Sequence, residues 1–334
     1  MEDLTFDGLL SRGNRNKKVK LVQEWLSLHG FGVVPDRAFG PATEAAVRDF
    51  QAVRDLTPSG EVDEETFEAL VEPMRFVLQP VAPAATDSVG DTVVAYARRH
   101  LSRHPREVGG ENLGPWVRLY MGGREGREFA WCAGFACFVL EQACTAHGIL
   151  TPITPSVSCD SLAASAKANG VFLAESATAS GLLGPGSLFL SRRTSTDWTH
   201  IGIVTEVAQE SFRTIEGNTN DEGSNEGFEV CARSRSYRNK DFIRITQRTE
   251  ATMADRGEVV AHNAEQLTRM DADAAGRLQH LFLECDQRGT LIRFSNTTEG
   301  GLLADVQVVA GDPAVLARIA RLLQITLDGD TLRV

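Results

Sequence analysis

One repeated pattern narrows what the start of this chain can fold into. Asp36-Arg37-Ala38-Phe39-Gly40-Pro41-Ala42-Thr43 is followed, 23 positions on, by Ser59-Gly60-Glu61-Val62-Asp63-Glu64-Glu65-Thr66. Each copy is a turn, an apolar residue and a helix start with threonine at the same offset. Pro41 suits the first helical position, where its missing N–H costs nothing, and Asp63 suits an N-cap. Apolar residues recur at helical spacing through Val19, Val22 and Leu26, then Ala46, Val47 and Phe50, then Phe67 and Leu70. The pattern predicts three short helices around one small core within residues 1–75. Trp25, Phe31 and Phe39 either line an exposed groove or join that core.

Beyond this block the composition shifts. Residues 76–88, FVLQPVAPAATDS, hold two prolines and no periodicity, and read as a semi-rigid linker. Residues 89–247 hold most of the cysteine, tryptophan and glycine, and a last block covers 248–334. The 334 residues suffice for two or three domains, and 42% hydrophobic with 24% charged residues is ordinary for a globular chain. A net charge of −11 argues against a nucleic-acid partner, since phosphate binding needs a basic surface. No stretch approaches the ~20 apolar residues of a membrane-spanning helix. Six cysteines are too sparse for a disulfide framework. MEDLTFDGLL has neither a basic leader nor a long apolar core, so synthesis in the cytoplasm without a signal peptide is expected.

Within the first block stand Val22-Gln23 with Leu26, His29-Gly30-Phe31, Asp36 with Phe39-Gly40 and Thr43, Ala46-Val47 with Phe50-Gln51, and Gly60 with Asp63, Thr66 and Leu70. In these residues the block resembles the peptidoglycan-binding domain family of three-helix wall-binding modules. Peptidoglycan is the partner that resemblance implies. Arg37 departs from it, because the family usually has glycine after the aspartate. A helical adaptor without a ligand is the plainer alternative.

The middle block carries the chemistry. Phe129 to Leu140 is a strongly apolar, helix-compatible run ending near Gly148, with Cys132 at its beginning. Free backbone N–H groups and the helix dipole favour an anion there, so a thiol can ionise near neutral pH. Cys137 and Cys144, deeper on one apolar face, read as small core residues. A thiolate needs a base and a proton donor, and histidine serves both. Of seven histidines, His200 alone opens an alternating, β-branched strand, His200 to Val207, after a loop over 191–199. His100 and His104 read as polar-face residues beside Arg103 and Arg106, and His147 as a helix C-terminal cap. The next strand ends in Glu216 and Asn218, two apart on one side. Either can accept the other imidazole N–H and fix the tautomer. With no Cys-x-x-Cys and no carboxylate cluster at ligand spacing, no metal or other cofactor is expected.

The ordered set Trp131-Cys132-Ala133-Gly134-Phe135, Gly186-Ser187-Leu188-Phe189, His200-Ile201-Gly202-Ile203-Val204 and Glu216-Gly217-Asn218, with Glu107, Asn112, Pro115, Val117 and Tyr120 upstream, resembles the CHAP family of papain-like amidases and peptidases. That family lies in the superfamily that includes the NlpC/P60 enzymes. The resemblance implies an α+β fold with helices packed on an antiparallel sheet. It also implies Cys132 as nucleophile, His200 as general base and acid, Glu216 as orienting group and Asn218 as a further active-site candidate. The long segment 151–183, and Arg192, Arg193, Asp197 and Trp198 before His200, depart from it.

In the last block, Leu267, Ala274, Leu278, Leu281 and Phe282 carry a helical pattern within 258–285. Residues 290–294 and 303–309 read as strands, Asp312-Pro313 as a helix start and 325–332 as a hairpin, together a small α+β domain of unknown role. The combined expectation is a peptidoglycan hydrolase that cuts an amide or peptide bond, as a lysin or as an antibacterial effector. It would reach the wall by lysis or delivery, and an inhibitory or delivery protein partner accompanies the effector reading. A non-catalytic wall-binding adaptor and an intracellular cysteine amidase or protease are the alternatives.

Overall fold

Local chemistry starts each of the leading helices. Asn16 caps α1 (Lys17–Leu28) through its side chain to Val19 N, 2.9 Å. Pro41 opens α2 (Pro41–Val53), and Asp63 caps α3 (Glu64–Leu78) through Thr66 N, 2.8 Å. The apolar stripes of the three helices meet in a common core that includes Trp25 and Phe39, with Phe31 half-buried against it. The aromatics are therefore core rather than groove. Here the computed structural model of the chain describes residues 2–220 and 227–245, and, further on, the strands 258–260, 291–297, 303–309, 326–328 and 331–333.

The repeat has a physical basis in two buried glutamines. Gln23 Nε2 donates to Asp36 Oδ1 (2.8 Å), the Ala38 carbonyl (3.1 Å) and Thr43 Oγ1 (3.0 Å), and its Oε1 accepts from Arg37 N. One repeat later Gln51 Nε2 donates to Ser59 Oγ (3.2 Å), the Glu61 carbonyl (2.8 Å) and Thr66 Oγ1 (3.0 Å), and its Oε1 accepts from Gly60 N. Each glutamine holds the turn that launches the next helix. Arg37 keeps the turn by adopting φ +68°, close to the +79° of Gly60 at the equivalent position.

Helix α3 continues through Leu78, because Met74 and Val77 extend its buried stripe past Pro73. The residues that follow lie against α4 (Val89–Leu101): Val81 N donates to Tyr96 Oη (2.8 Å) and Arg99 Nη1 to the Gln79 carbonyl (2.6 Å). A Ser88–Asp91 capping box starts α4. Then come α5 (Pro115–Tyr120), α6 (Cys132–Ala146) and α7 (Cys159–Ala168). The three-helix part docks on α5 through Trp25 and Trp116, edge-on at 5.7 Å. Beside them Arg118 pairs with Glu24 (2.7 Å), Asp3 (2.6 Å) and Glu125 (2.5 Å).

An antiparallel six-stranded sheet follows, in the order β1-β6-β2-β3-β4-β5. Its strands are β1 (Phe172–Leu173), β2 (Leu188–Thr194), β3 (Asp197–Val207), β4 (Ser211–Thr219), β5 (Glu229–Ser236) and β6 (Lys240–Ile243). Helix α6 packs on β3 and β4, with α4 behind it, and α7 packs on β3. The fold is α+β, with a helical N-terminal region.

One sequence expectation changes here. Residues 191–199 are not a loop but the ends of β2 and β3 in a tight hairpin, so His200 sits inside β3, opposite Ser191. Register shifts and the adjacent arginines Arg192 and Arg193 in that hairpin hide the alternation that marks a strand. The segment 151–183 contains α7, which small residues and a single turn of apolar spacing conceal.

The chain divides into Met1–Gln247 and Arg248–Val334. In the second unit β7 (Glu258–Val260), β9 (Leu303–Val309) and β8 (Leu291–Thr297) form one antiparallel sheet in that order, and β10 (Thr326–Asp328) pairs with β11 (Thr331–Arg333) as a hairpin. The strands expected near 290–294 and 303–309 and the closing hairpin are thus present. Residues 258–260 are strand rather than the start of a helix, since Glu-Val-Val suits a β ladder better than a helix turn. The remaining helical expectations, over 261–285 and from Asp312, lie outside the described residues. Among the described residues no helix is long and apolar enough to cross a membrane.

Candidate active site

Cys132 is the first residue of α6, and Trp131 before it supplies no side-chain cap. The opening N–H groups of the helix are therefore left without a capping side chain. Trp131 is anchored instead: its Nε1 donates to Glu107 (2.9 Å) and its ring stacks on Tyr120 at 5.5 Å. Two glycines let the neighbours approach. A Cβ on Gly134 would lie 2.5 Å from the Tyr120 carbonyl, and one on Gly217 would lie 2.7 Å from Phe135 Cβ. Burial raises the pKa of Glu107, against the pull of its bonds to Trp131 and Asn112.

His200 is fully buried on β3. Its Nε2 lies 2.8 Å from Glu216 Oε2, and because a carboxylate only accepts, Nε2 carries the proton. Gly202 makes room for this contact, since a Cβ there would meet Glu216 Cγ at 2.6 Å. Glu216 also accepts from Thr214 Oγ1 (2.5 Å), Arg235 Nε (2.9 Å) and Arg235 Nη2 (2.6 Å). Burial would raise the carboxyl, yet Arg235 and His200 overcome it and hold it down at about 2.

The other imidazole nitrogen, Nδ1, is buried without a hydrogen bond of proper geometry. Cys132 is the thiol beside it. The thiol is held well below its ordinary value, first by a hydrogen bond from Cys159 and then, against burial, by His200 and the Ile201 N–H. His200 moves the opposite way, up to about 9, as Cys132 and Glu216 outweigh its burial. A thiolate facing an imidazolium is the resulting charge state, which can attack a carbonyl carbon and protonate a leaving amine.

Cys132, His200 and Glu216 therefore come together. Asn218 is buried at the end of β4, but it takes φ +52° where the β4–β5 ladder shifts register between Glu216 and Thr219. That bulge breaks the period-two alternation behind its expected placement beside Glu216, and Asn218 makes no hydrogen bond to the His200 ring. Cys137 and Cys144 are core residues as expected, and burial pushes Cys137 up to about 12.

His100 is not on a polar face. It is buried, with Nδ1 2.9 Å from Tyr120 Oη and Nε2 2.9 Å from Gln142 Oε1, and burial lowers it to about 4. Its helical spacing from Val93, Tyr96 and Ala97 marks that buried face. His147 is the C-terminal cap residue of α6, and its ring meets Thr92 Oγ1 at 2.7 Å.

Arg235 and Cys159 escaped the sequence reading. Arg235 sits in Ala-Arg-Ser-Arg-Ser, which reads as a solvated edge. Cys159 follows Ser158 and precedes Asp160, a helix-start signal much like the one that exposed Asp63. Among the described residues no group of three His, Cys, Asp or Glu side chains is placed to hold a metal ion.

No curated protein matches the chain. Residues 15–70, which span α1, α2 and the first turns of α3, match the family model of a putative peptidoglycan binding domain, and this supports wall binding with peptidoglycan as partner.

Proposed function

We propose that the chain is a peptidoglycan hydrolase that cleaves an amide or peptide bond of the cell wall through Cys132, His200 and Glu216. The observation that carries this reading is the buried His200, bonded through Nε2 to Glu216 with its Nδ1 free beside a low-pKa thiol at a helix start. The CHAP resemblance supports the same assignment, and the match over residues 15–70 supports the substrate class.

In this reading the Cys132 thiolate adds to the carbonyl carbon, and backbone N–H groups at the start of α6 receive the negative oxygen. His200 gives its Nδ1 proton to the departing amine, leaving an acyl-enzyme. Nδ1 then takes a proton from the water that adds to the thioester and keeps it as the thiolate leaves, which frees the acid product and restores the thiolate–imidazolium pair. Glu216, kept ionised by Arg235, holds the imidazole in one tautomer throughout. N-acetylmuramoyl-L-alanine amidase and peptidoglycan endopeptidase activities both fit this chemistry. The place of action we propose is the wall, reached after lysis or delivery.

Digestion of purified sacculi by wild type and Cys132→Ala, with released amines and fragment masses followed, tests the reading. Release by wild type alone supports the thiol hydrolase, and the masses name the bond. Sedimentation of both proteins with sacculi but no release by either would leave a binding protein. Neither release nor sedimentation would remove the wall reading.

A further inference from the structure

The mechanism leaves Glu107 unused, although its carboxylate holds the residue before the nucleophile. Its backbone is pinned to the sheet: Glu107 N donates to the Phe228 carbonyl (2.8 Å) and Val230 N to the Pro105 carbonyl (2.8 Å), so 105–107 lie against the start of β5. From there the side chain meets two donors with two oxygens. Oε1 accepts from Trp131 Nε1 (2.9 Å) and Oε2 from Asn112 N (2.8 Å). Asn112 Nδ2 in turn donates to the Arg127 carbonyl (3.0 Å), four residues before Trp131. The approach to Cys132 is thus tied down at two points. Trp131 itself is fully buried, and its ring is fixed on three sides. Glu107 takes the N–H edge, and Tyr120 stacks on the face at 5.5 Å and 14°. The opposite corner meets β4, for a Cβ on Gly217, next to Glu216, would lie 2.9 Å from Trp131 Cζ3. The indole therefore fills the space between Glu107 and the strand of Glu216, and its own backbone leads directly into Cys132.

Building on the hydrolase reading, we propose that Glu107 is a positioning residue: by accepting from Trp131 Nε1 it seats the indole as the spacer that fixes how Cys132 faces the strands of His200 and Glu216. Its part needs no contact with the reacting atoms and moves no proton. An indole nitrogen only donates and a carboxylate only accepts, so the bond has one direction and one geometry. The second oxygen serves Asn112 at the same time, which an amide side chain with its single oxygen cannot do. Without the acceptor, the buried indole N–H is left unmatched and the ring has reason to shift. Any such shift is carried into Cys132 through one peptide bond and into β4 through the contact with Gly217.

The test uses the full chain as wild type, Glu107→Ala, Trp131→Phe and the double variant. Phenylalanine keeps a ring between Tyr120 and Gly217 but has no N–H to give. Two readouts are taken: sacculus hydrolysis as kcat and half-saturating sacculus concentration, and ultraviolet thiolate absorbance across a pH series with Cys132→Ala as the blank. Glu107→Ala should lower kcat about 10²-fold and leave half-saturation within about twofold, the cost of misplacing reacting groups by ~1 Å. A thiolate drawn away from its imidazolium should also raise the Cys132 midpoint by about one pH unit, roughly tenfold less thiolate on the acid side. Trp131→Phe should move both readouts the same way, and adding Glu107→Ala to it should cost little more. Glu107→Gln, whose one oxygen can still accept from the indole, should recover most of the loss. If Glu107→Ala loses native circular dichroism, Glu107→Met, of similar length without an acceptor, takes its place. Unchanged readouts in a folded acceptor-less variant, losses that multiply in the double variant, or a loss confined to half-saturation overturns the proposal. Absorbance needs no turnover, so a midpoint shifted alike in the single and double variants of a protein that cleaves no sacculi would retain this role and remove the hydrolase reading. Hydrolysis that Glu107→Ala leaves intact would do the reverse.

Discussion

The three-helix part and the α6–sheet part both bury polar side chains, but they settle them differently. Gln23 and Gln51 each have their amide oxygen and nitrogen bonded to one turn, so burying them costs little and fixes a shape. At the site the polar groups are charged, and one is left open. Glu216 is saturated by His200, Thr214 and Arg235, whereas His200 Nδ1 has no bond of proper geometry. A buried nitrogen left unmatched costs about 1–3 kcal/mol unless a charge beside it compensates. The Cys132 thiolate is that charge. Satisfied polar burial builds the turns of one region, and deliberately incomplete burial leaves the other able to move a proton.

The largest expected effect attacks the charged set. Glu216→Gln keeps the shape but lets the side chain present an N–H to His200, which loses its orienting acceptor and its neutralising charge. Sacculus hydrolysis should fall roughly 10³–10⁴-fold. Arg235 would be left without its buried partner, so urea unfolding should show a loss of about 3 kcal/mol. Hydrolysis within tenfold of wild type would show that the two regions do not differ as argued.

Gln51→Ala probes the other side. It strands the Gly60 N–H, the Glu61 carbonyl and Thr66 Oγ1, and should lower stability by about 2–3 kcal/mol. The Cys132 thiolate midpoint should stay where it is, because no contact of Gln51 reaches the site. A shifted midpoint at a temperature where the variant remains folded would mean the three-helix part tunes the chemistry.

Much of this was readable in advance, for physical reasons that differ by element. Asp63 and Pro41 announce helix starts because capping is local chemistry. Cys132, His200 and Glu216 stand out because a helix start and two alternating strands place them. The two glutamines leave no periodic trace, because a buried polar residue that bonds a turn follows no apolar spacing, and only the peptidoglycan-binding resemblance marks them. Arg235 stays silent because an arginine that reaches diagonally across a ladder looks like a solvated one. The hairpin before His200 reads as a loop in the sequence because its register shifts break the alternation.

The charge state of the site sets a pH window. His200 is raised from 6.5 to about 9, so the proton for the leaving amine is present until pH passes about 9. Above that, the hydrolysis rate should fall about tenfold per pH unit. Glu216 is depressed from 4.5 to about 2, so its contribution to stability is complete above about 4.5 and is lost as pH falls through about 2. Acid titration of unfolding should therefore bring wild type and Glu216→Gln together near pH 2. A gap that persisted there, or an alkaline limb near pH 7, would contradict the ion-pair assignment.

The smallest effect returns to the repeat. Arg37 and Gly60 occupy the same position in successive turns, both left-handed, and each N–H is taken by a glutamine. A left-handed backbone costs a side-chain-bearing residue about 1–2 kcal/mol relative to glycine, less the extra freedom glycine loses on folding, about 0.5–1 kcal/mol. Arg37→Gly should therefore stabilise the chain by up to about 1 kcal/mol, read as a small rise in the unfolding midpoint. Arg37 is exposed, and its side chain makes none of the bonds that hold the turn. If the variant were as stable as wild type yet sedimented less with sacculi, the arginine would be kept for the wall and not for the turn. The equivalence of the two turns would then hold for the backbone alone.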